Sequence, residues 1–239
     1  MIRQEIALEH GGQRYAGFVA LPDGPGPHPA VLIIHGGMGI HHIVPRTMER
    51  LVASGYAAVA ADMIGIEYRD APSGTGGGKG YAAYGEDPGL AREMTAAWAA
   101  RAGQVPDIAA DRIAAMGYCF GGACVLELAR SGSTVAACIS FHGILPSRLL
   151  AQPGAVKTHV AVFTGGADPY VPWADVEGLV REFDEAGAQY QITRFSGAQH
   201  AFTDPGAVDL GIPDLGYDAV ADEVSWAAAI ALLDHKLRN

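Results

Sequence analysis

The sequence predicts an α/β fold in which a mostly parallel central sheet carries helices on both faces. Short apolar runs of strand length alternate along the chain with longer segments that show helical periodicity. Several of these short runs are apolar throughout, as is typical of strands that are buried on both faces of a sheet. The composition does not change along the chain and there is no internal repeat, so we expect one domain over residues 1–239.

The composition limits the compartment and the classes of partner. The chain has 239 residues, of which 49% are hydrophobic and 18% charged, and its formal net charge is −10. Nucleic acid and anionic membrane surfaces are poor partners for such a protein, and no apolar run reaches the length of about 18 residues that a membrane span needs. The three cysteines, Cys119, Cys124 and Cys138, are too few for a disulfide framework, which favours a reducing, cytoplasmic location.

The N-terminal part of the chain supplies the first strands. Two strand-like segments flank a glycine turn at residues 10–12 and predict an antiparallel hairpin. Residues 30–35 form a continuous apolar run that predicts a buried strand. A helix is expected over residues 45–53 and a second buried strand over residues 56–60, whereas residues 62–88 have the composition of an irregular segment.

The irregular segment contains the glycine-rich run Ser73–Gly80, which includes Gly78-Lys79. This run lacks both the upstream glycine and the following serine or threonine of a phosphate-binding loop. A mobile flap over an active site and a plain surface loop are the two alternatives that remain. Tyr81 and Tyr84, which follow it, either line a pocket or pack the loop against the domain.

The C-terminal part continues the alternation of strands and helices. The predicted strands are residues 112–116, 135–141, 159–164 and 189–195, and the predicted helices are residues 89–102, 123–129, 176–183 and 217–237. In parallel sheets of this kind, functional groups gather beyond the carboxyl ends of the strands. The loops that follow the predicted strands are therefore the places to look for an active site.

One segment between a predicted strand and a predicted helix, Gly117-Tyr118-Cys119-Phe120-Gly121, carries a reactive side chain. Its spacing is that of the G-x-S-x-G nucleophile elbow, with cysteine in the serine position. The start of the helix would favour the thiolate of Cys119, which is the nucleophilic form. The backbone N–H of Phe120 would face a developing oxyanion. The alternative is that Cys119 is a small, buried apolar residue.

A second glycine-rich loop, His35-Gly36-Gly37-Met38-Gly39, follows the first continuous apolar strand. It does not fit the dinucleotide-binding pattern G-x-G-x-x-G. It is a better match to the His-Gly-Gly loop that donates an oxyanion-hole N–H in esterases and lipases. We therefore expect the N–H of Gly37 to act together with that of Phe120, although a tight turn alone would also require these glycines.

Asp168 and His200 follow two later predicted strands. Cys119, Asp168 and His200 thus come in the chain order nucleophile, acid, base that is found in α/β-hydrolases. His200 would act first as base and then as acid, and Asp168 would fix its tautomer and stabilise the imidazolium. Cys119 would attack an acyl carbon to give a thioester that water hydrolyses. Taken singly, an aspartate before a proline is often only a turn residue.

Further side chains are candidates for the pocket wall. They are His35, Met38, Tyr81, Tyr84, Tyr118, His142 and Phe202. Cys124 is expected to lie over a turn further along the helix and outside the site. The adjacent His41 and His42 cannot chelate as an i, i+4 pair, and no zinc-ligand spacing occurs, so no metal is expected.

These motifs resemble those of the dienelactone hydrolase family, a branch of the α/β-hydrolase fold that uses cysteine. The resemblance is carried by residues 54–62, 117–122, 166–172 and 197–202. It implies a cofactor-free hydrolase with the α/β-hydrolase fold, a monomer or weak dimer, that acts on lactones or other activated esters. Nothing in the sequence excludes a non-hydrolytic acyltransferase. The second alternative is a ligand-binding scaffold on the same fold, but such a protein would normally lack one of the three catalytic residues, and none is lacking here.

Two positions depart from the family pattern. Members that open dienelactone carry a glutamate where this chain has Gly36, and an arginine that holds the substrate carboxylate where this chain has Asp204. A carboxylate at position 204 would repel an anionic substrate. Arg69 is a candidate replacement for another family arginine. We therefore expect the substrate to be a neutral ester, lactone or thioester and not dienelactone itself.

Overall fold

A single eight-stranded sheet lies at the centre of the computed structural model, which describes residues 3–66, 68 and 77–238. The strands are β1 (Gln4–His10), β2 (Gln13–Ala20), β3 (His28–Ile34), β4 (Ala57–Ala61), β5 (Ile108–Tyr118), β6 (Ala137–Phe141), β7 (His159–Gly165) and β8 (Gln189–Phe195). The helices are α1 (Val44–Ala53), α2 (Gly77–Glu86), α3 (Pro88–Ala102), α4 (Phe120–Arg130), α5 (Trp173–Glu185) and α6 (Ala219–Leu237).

The sheet has the spatial order β1-β2-β4-β3-β5-β6-β7-β8. Strands β1 and β2 form an antiparallel hairpin, and β2 also pairs antiparallel with β4. Every other neighbouring pair, from β4 through β3 to β8, is parallel. The predicted α/β class, the mostly parallel sheet and the N-terminal hairpin are therefore confirmed. Parallel pairing brings the carboxyl ends of six strands to one edge of the sheet.

Helices cover both faces of the sheet, so the central strands are buried on both sides. Leu32 of β3 faces a cluster that includes Trp98 of α3 and Phe183 of α5, whereas Ile33 faces a cluster that includes Met48 of α1. Both β3 side chains are fully buried. This explains why the strand is apolar throughout and does not alternate. None of the described helices is long and apolar enough to cross a membrane.

The segment predicted to be irregular contains helix α2, which the sequence analysis did not predict. Its sequence GGKGYAAYGE is rich in glycine, which is a poor helix former, and shows little amphipathic pattern. Tertiary contacts hold it in place: the hydroxyl of Tyr84 donates a hydrogen bond to the carbonyl oxygen of Met63 at 2.6 Å, and its ring lies against that of Phe120. Residues 73–76 of the glycine-rich run and Arg69 lie outside the described residues.

A buried ionic cluster joins α3, α4 and α5 on one face of the sheet. The Arg130 guanidinium contacts carboxylate oxygens of Glu127 and Glu182 at 2.9 and 2.8 Å and donates to the carbonyl oxygen of Leu145. The Arg130 side chain is 1% exposed, and the two carboxylates are 8% and 5% exposed. Arg92 supplies a second cation to Glu127 at 2.9 Å. All the charges in the cluster are therefore paired inside the protein.

Replacing Arg130 by methionine should destabilise the fold strongly, because it leaves the Glu182 carboxylate buried without its cation. The expected loss is about 3–5 kcal/mol in the free energy of unfolding, measured by denaturant titration. Arg14→Ala is the matched control, since Arg14 pairs with Glu9 across 3.8 Å at the surface and should cost at most about 1 kcal/mol. Equal losses in the two variants would contradict this account of the cluster.

Candidate active site

The turn between β5 and α4 holds Cys119 in an unusual backbone conformation. Its φ and ψ angles are 54° and −114°, a combination that is rare for a residue with a side chain and costs about 1–3 kcal/mol. Its backbone N–H donates to the carbonyl oxygen of Phe141 on β6 at 3.0 Å, and its carbonyl accepts from Ala123 in α4. These bonds hold the turn from both sides and leave the half-buried sulfur at the start of α4.

The two glycines of the turn are required by close backbone approach. A Cβ on Gly117 would lie 2.1 Å from the carbonyl oxygen of Gly121, and a Cβ on Gly121 would lie 2.2 Å from the carbonyl oxygen of Ile34. Both distances are far below van der Waals contact, and the obstructing atoms belong to the backbone. The first turn of α4 is therefore pressed against the end of β3, where the loop carrying Gly37 begins.

His200 and Asp168 meet beyond the ends of β7 and β8. The Nδ1 atom of His200 lies 2.8 Å from Oδ2 of Asp168, whose side chain is completely buried. The other carboxylate oxygen of Asp168 accepts from the backbone N–H of Tyr170 at 2.9 Å. The backbone of His200 is also fixed, because it donates to the carbonyl of Asp214 and accepts from the N–H of Gly216. The carboxylate and the backbone together orient the imidazole.

The structure brings Cys119 into hydrogen-bonding contact with this pair. The His200 imidazole hydrogen-bonds the Cys119 sulfur, and the backbone N–H groups of Phe120 and Gly37 donate to the same atom. With Nδ1 of His200 taken by Asp168, Nε2 is the atom that is free for the sulfur. The five positions that the sequence singled out for chemistry therefore lie in one constellation.

The electrostatics of the constellation favour a thiolate next to an imidazolium. Burial alone would raise the pKa of Cys119, but the hydrogen bond and charge of His200, together with the N–H groups of Phe120 and Gly37, lower it below its usual value. Burial likewise opposes the charged form of His200, yet the Asp168 carboxylate and the Cys119 sulfur raise the pKa of His200 to about 9. Each charge of the pair thus stabilises the other.

A cavity of about 250 Å³ opens on the sulfur, and three candidate lining residues belong to its wall. These are Met38, Tyr118 and His142, and the mostly apolar wall also includes Ile43, Leu210 and Leu215. Tyr84 instead lines a second cavity that reaches the sulfur from the side of α4. The side chain of Tyr81 lies outside the described residues.

Two candidate lining residues, His35 and Phe202, do not reach the cavity wall, and those predictions were wrong. His35 is fully buried: its Nδ1 lies 2.8 Å from the carbonyl oxygen of Gly36, and its Nε2 accepts from the N–H of Met63. Burial lowers the pKa of His35, which keeps the ring neutral. Phe202 is core, with its ring against those of His142 and Phe195. Each occupies a layer directly behind the wall.

His142 forms part of the wall next to His200. Its backbone has a φ of 40°, its Nε2 lies 2.9 Å from the hydroxyl of Thr203, and its ring meets that of His200 edge-on with centroids 5.2 Å apart. Burial, and then the positive charge of His200, hold the pKa of His142 well below its usual range. The imidazolium of His200 therefore has a neutral ring and not a second cation beside it.

The sequence analysis missed an ion pair in the cavity wall between His42 and Asp204. Nε2 of His42 lies 2.5 Å from Oδ2 of Asp204. The Asp204 hydrogen bond raises the pKa of His42 despite some burial, and His42 helps to lower the pKa of Asp204 against its own desolvation. The expectation that Asp204 acts as a free, repelling carboxylate is corrected, because the cation of His42 neutralises it.

The expectation that Cys124 lies outside the site is also corrected. This residue belongs to α4, one turn after the nucleophile elbow, and it lines the second cavity together with Cys119. It is 2% exposed, and burial raises the pKa of its thiol well above the usual value. Cys124 is therefore close to Cys119 but is held as an unreactive thiol.

The chain is similar to known proteins over nearly its whole length. The model of the dienelactone hydrolase family matches residues 15–237. A solved structure of a dienelactone hydrolase-like promiscuous phosphotriesterase from metagenomic libraries is 31% identical, with a TM-score of 0.91 over 98% of each chain. The carboxymethylenebutenolidase of Pseudomonas putida is 27% identical over 219 residues, which cover 84% of this chain and 86% of the relative.

A dienelactone hydrolase from Anabaena variabilis has the same fold, with a TM-score of 0.67 over 98% of this chain and 99% of that one at 22% identity. The family model spans nearly the whole sheet, from β2 to the end of α6. The chain therefore belongs to the dienelactone hydrolase family.

Proposed function

We propose that this protein hydrolyses a neutral carboxylic ester, lactone or thioester by nucleophilic catalysis at Cys119. The observation that carries the proposal is the hydrogen-bonded series Cys119–His200–Asp168, in which the pKa of the thiol is lowered and the pKa of the imidazole is raised. A thiolate paired with an imidazolium is both a ready nucleophile and a ready acid. Membership of a hydrolase family supports the same reaction class.

In the first half-reaction the Cys119 thiolate attacks the acyl carbon of the substrate. Charge develops on the carbonyl oxygen, and the N–H groups of Gly37 and Phe120 are the donors in reach of it. One such donor contributes about 3–4 kcal/mol to the transition state in measured cases. When the bond to the leaving group breaks, His200 gives its proton to the departing oxygen, and the acyl group remains on sulfur as a thioester.

In the second half-reaction water replaces the leaving group. The neutral His200 now accepts a proton from a water molecule, which attacks the thioester carbon. Collapse of the intermediate expels the Cys119 thiolate, and the proton stays on His200, so the starting ion pair is restored. Asp168 holds the ring by its Nδ1 atom throughout and stabilises its charged form. An alcohol or amine that attacks in place of water would instead make the protein an acyltransferase.

A neutral substrate is supported by the walls of the site. The family resemblance implies that Gly36 and Asp204 stand where dienelactone-opening members carry a glutamate and an arginine, and Asp204 is paired with His42 at 2.5 Å. A substrate carboxylate near Asp204 would lose its hydration and find no free cation in that ion pair. The carboxymethylenebutenolidase activity named for the Pseudomonas relative is therefore not the activity we propose for this chain.

A second candidate activity is the hydrolysis of phosphotriesters. It is favoured by the similarity, at 31% identity and a TM-score of 0.91, to a promiscuous phosphotriesterase. The N–H groups that face the Cys119 sulfur could bind a phosphoryl oxygen as they would bind an acyl oxygen. The thiolate would displace the alcohol from phosphorus, and water would then have to cleave the sulfur–phosphorus bond.

Removal of the thiol or the imidazole should abolish esterase activity. We expect Cys119→Ala and His200→Ala each to lower kcat/KM for p-nitrophenyl acetate by at least about 10³-fold, with Asp168→Asn somewhat less affected. Cys138→Ala is the control, because Cys138 is a buried thiol in β6 away from the site. Equal rates in all variants would refute the enzymatic proposal and would favour the alternative that the protein is a ligand-binding scaffold. Analysis of products with and without an added alcohol distinguishes hydrolysis from acyl transfer.

The pH dependence of thiol alkylation should report the ion pair. Because the pKa of Cys119 is lowered chiefly by His200, iodoacetamide should modify Cys119 at pH values below those needed for an ordinary thiol, with a pKa of about 8.5. In His200→Ala the midpoint should move to higher pH. Peptide mass spectrometry of the modified site gives the rate at each pH. His41→Ala, at an exposed ring, should leave the midpoint unchanged, whereas an equal shift in both variants would contradict the proposed pair.

Phosphotriesterase activity is tested with diethyl p-nitrophenyl phosphate. We expect slow release of p-nitrophenolate by the unmodified chain and none by Cys119→Ala, because the same nucleophile would attack phosphorus. Release that stops after one equivalent would mean that the phosphorylated thiol is not hydrolysed, so that the compound is an inhibitor. Continued release in Cys119→Ala would exclude the common site. Neither result would affect the ester proposal.

A further inference from the structure

Two distinct cavities reach the Cys119 sulfur from different sides. The first has a volume of about 250 Å³ and the second a volume of about 770 Å³. Four lining residues are common to both cavities, namely Gly37, Cys119 itself, Ile144 and Tyr170. A substrate whose reacting carbon lies at the sulfur can therefore extend one arm into each cavity.

The cavities differ in which part of the site they contain. His200 and Ala201 line only the first cavity, whereas Phe120 and Ala123, on the first turn of α4, line only the second. His200 is the residue that gives its proton to the leaving oxygen in the proposed reaction. A proton donor must lie within hydrogen-bonding distance of the atom that it protonates, so the leaving oxygen has to face the side on which His200 stands.

We infer that the first cavity binds the alcohol part of the ester and the second binds the acyl part. This assignment rests on the proposed roles of Cys119 and His200 and adds the direction in which the substrate is bound. Only the position of His200 sets this direction. The oxyanion donors do not, because Gly37 lines both cavities and Phe120 lines the second.

The wall of the first cavity indicates the chemistry of the alcohol. Leu210, Ile212 and Leu215 all come from the loop that follows His200, and Met38 and Ile43 come from the segment between β3 and α1. The charged groups in this wall are already paired, His42 with Asp204 at 2.5 Å and His200 with Asp168 and the Cys119 sulfur. A charged alcohol would lose its hydration there without gaining a partner. An uncharged, apolar alcohol would bury its surface against the leucine and isoleucine side chains.

The second cavity is larger and has several polar groups in its wall. Glu127, Ser147 and Arg148 belong to its wall, in addition to apolar residues of α3 and α4. Glu127 is neutralised by Arg92 and Arg130. We therefore expect this cavity to accept longer acyl chains, and to be less selective for apolar groups than the first cavity. The substrate class that fits both cavities is an ester of an apolar alcohol with an acyl chain of variable length.

A pair of isomeric esters tests the direction of binding. Hexyl acetate and ethyl hexanoate have the same atoms, but the six-carbon chain is in the alcohol of the first and in the acyl group of the second. Leu210→Asp places a carboxylate in the first cavity and should lower kcat/KM for hexyl acetate at least about tenfold more than for ethyl hexanoate. Ala123→Leu narrows the second cavity and should have the opposite preference.

The control variant, Val208→Asp, and a second cavity variant, Ile212→Asp, both change the loop that follows His200. Val208→Asp introduces the same charge in the same 3-10 turn, but Val208 is 68% exposed and does not line the cavity, so both esters should be hydrolysed as by the unmodified chain. Ile212→Asp, at a cavity position that is already 41% exposed, repeats the Leu210 test with less risk to folding.

The outcomes separate the two proposals. If Leu210→Asp and Ile212→Asp impair ethyl hexanoate as much as hexyl acetate, or more, the assignment of the cavities is wrong while the esterase proposal stands. If the unmodified chain hydrolyses neither isomer nor p-nitrophenyl acetate, the proposed function is wrong, and the assignment is wrong with it. Opposite preferences of the cavity variants, with the Val208 control unaffected, support both.

Discussion

The left-handed backbone of Cys119 is the constraint on which the site depends. An ordinary extended or helical conformation at this residue would continue β5 or begin α4 early and would turn the sulfur away from the sheet edge. The observed turn requires the absence of side chains at Gly117 and Gly121, because a Cβ would lie 2.1 Å from a backbone carbonyl oxygen at the first position and 2.2 Å from one at the second. The same close approach packs α4 against the end of β3. It therefore brings the N–H groups of Phe120 and Gly37 to one sulfur, although they belong to different loops.

Histidines near the sulfur show how environment and not residue type sets the charge. Burial without an acidic partner keeps His142 neutral, and the positive charge of His200, with its ring centroid 5.2 Å away, lowers the pKa of His142 further. His200 is also buried but has a carboxylate on one side and a thiol on the other, so its pKa rises to about 9. His42 is paired with Asp204 in the wall, and the two ring nitrogens of His35 contact the backbone of Gly36 in the oxyanion loop and of Met63 after β4. The imidazole with a raised pKa that contacts the sulfur is thus distinguished from its neighbours by what it contacts.

The parts of the molecule that the sequence predicts are those with a local signature. Apolar runs marked the strands, and the glycine spacing around Cys119 marked the turn. Residues that follow separate parallel strands could be grouped because such strands end at one edge, and this brought Asp168 and His200 into the prediction. Helix α2 was missed because its glycine-rich sequence has little helical pattern, and contacts such as the Tyr84 hydroxyl to Met63 stabilise it from outside. The His42–Asp204 pair joins residues 162 positions apart, and no local sequence pattern predicts a contact between residues so far apart in the chain.

The loop that follows His200 links the positioning of the imidazole to the shape of the first cavity. The chain leaves His200, passes through a 3-10 turn at Val208–Leu210, and returns so that Asp214 and Gly216 hydrogen-bond the backbone of His200 itself. Between these points it contributes Leu210 and Ile212 to the cavity wall, and Asp204 ties it to His42 in the loop after β3. A side chain that enlarges or narrows the cavity from this loop therefore acts on the same backbone that holds His200. Val208 lies in the same 3-10 turn but outside the cavity wall, so a change that displaces the proton donor through the loop would also be seen there, whereas a change in the alcohol that is accepted requires a side chain in the wall.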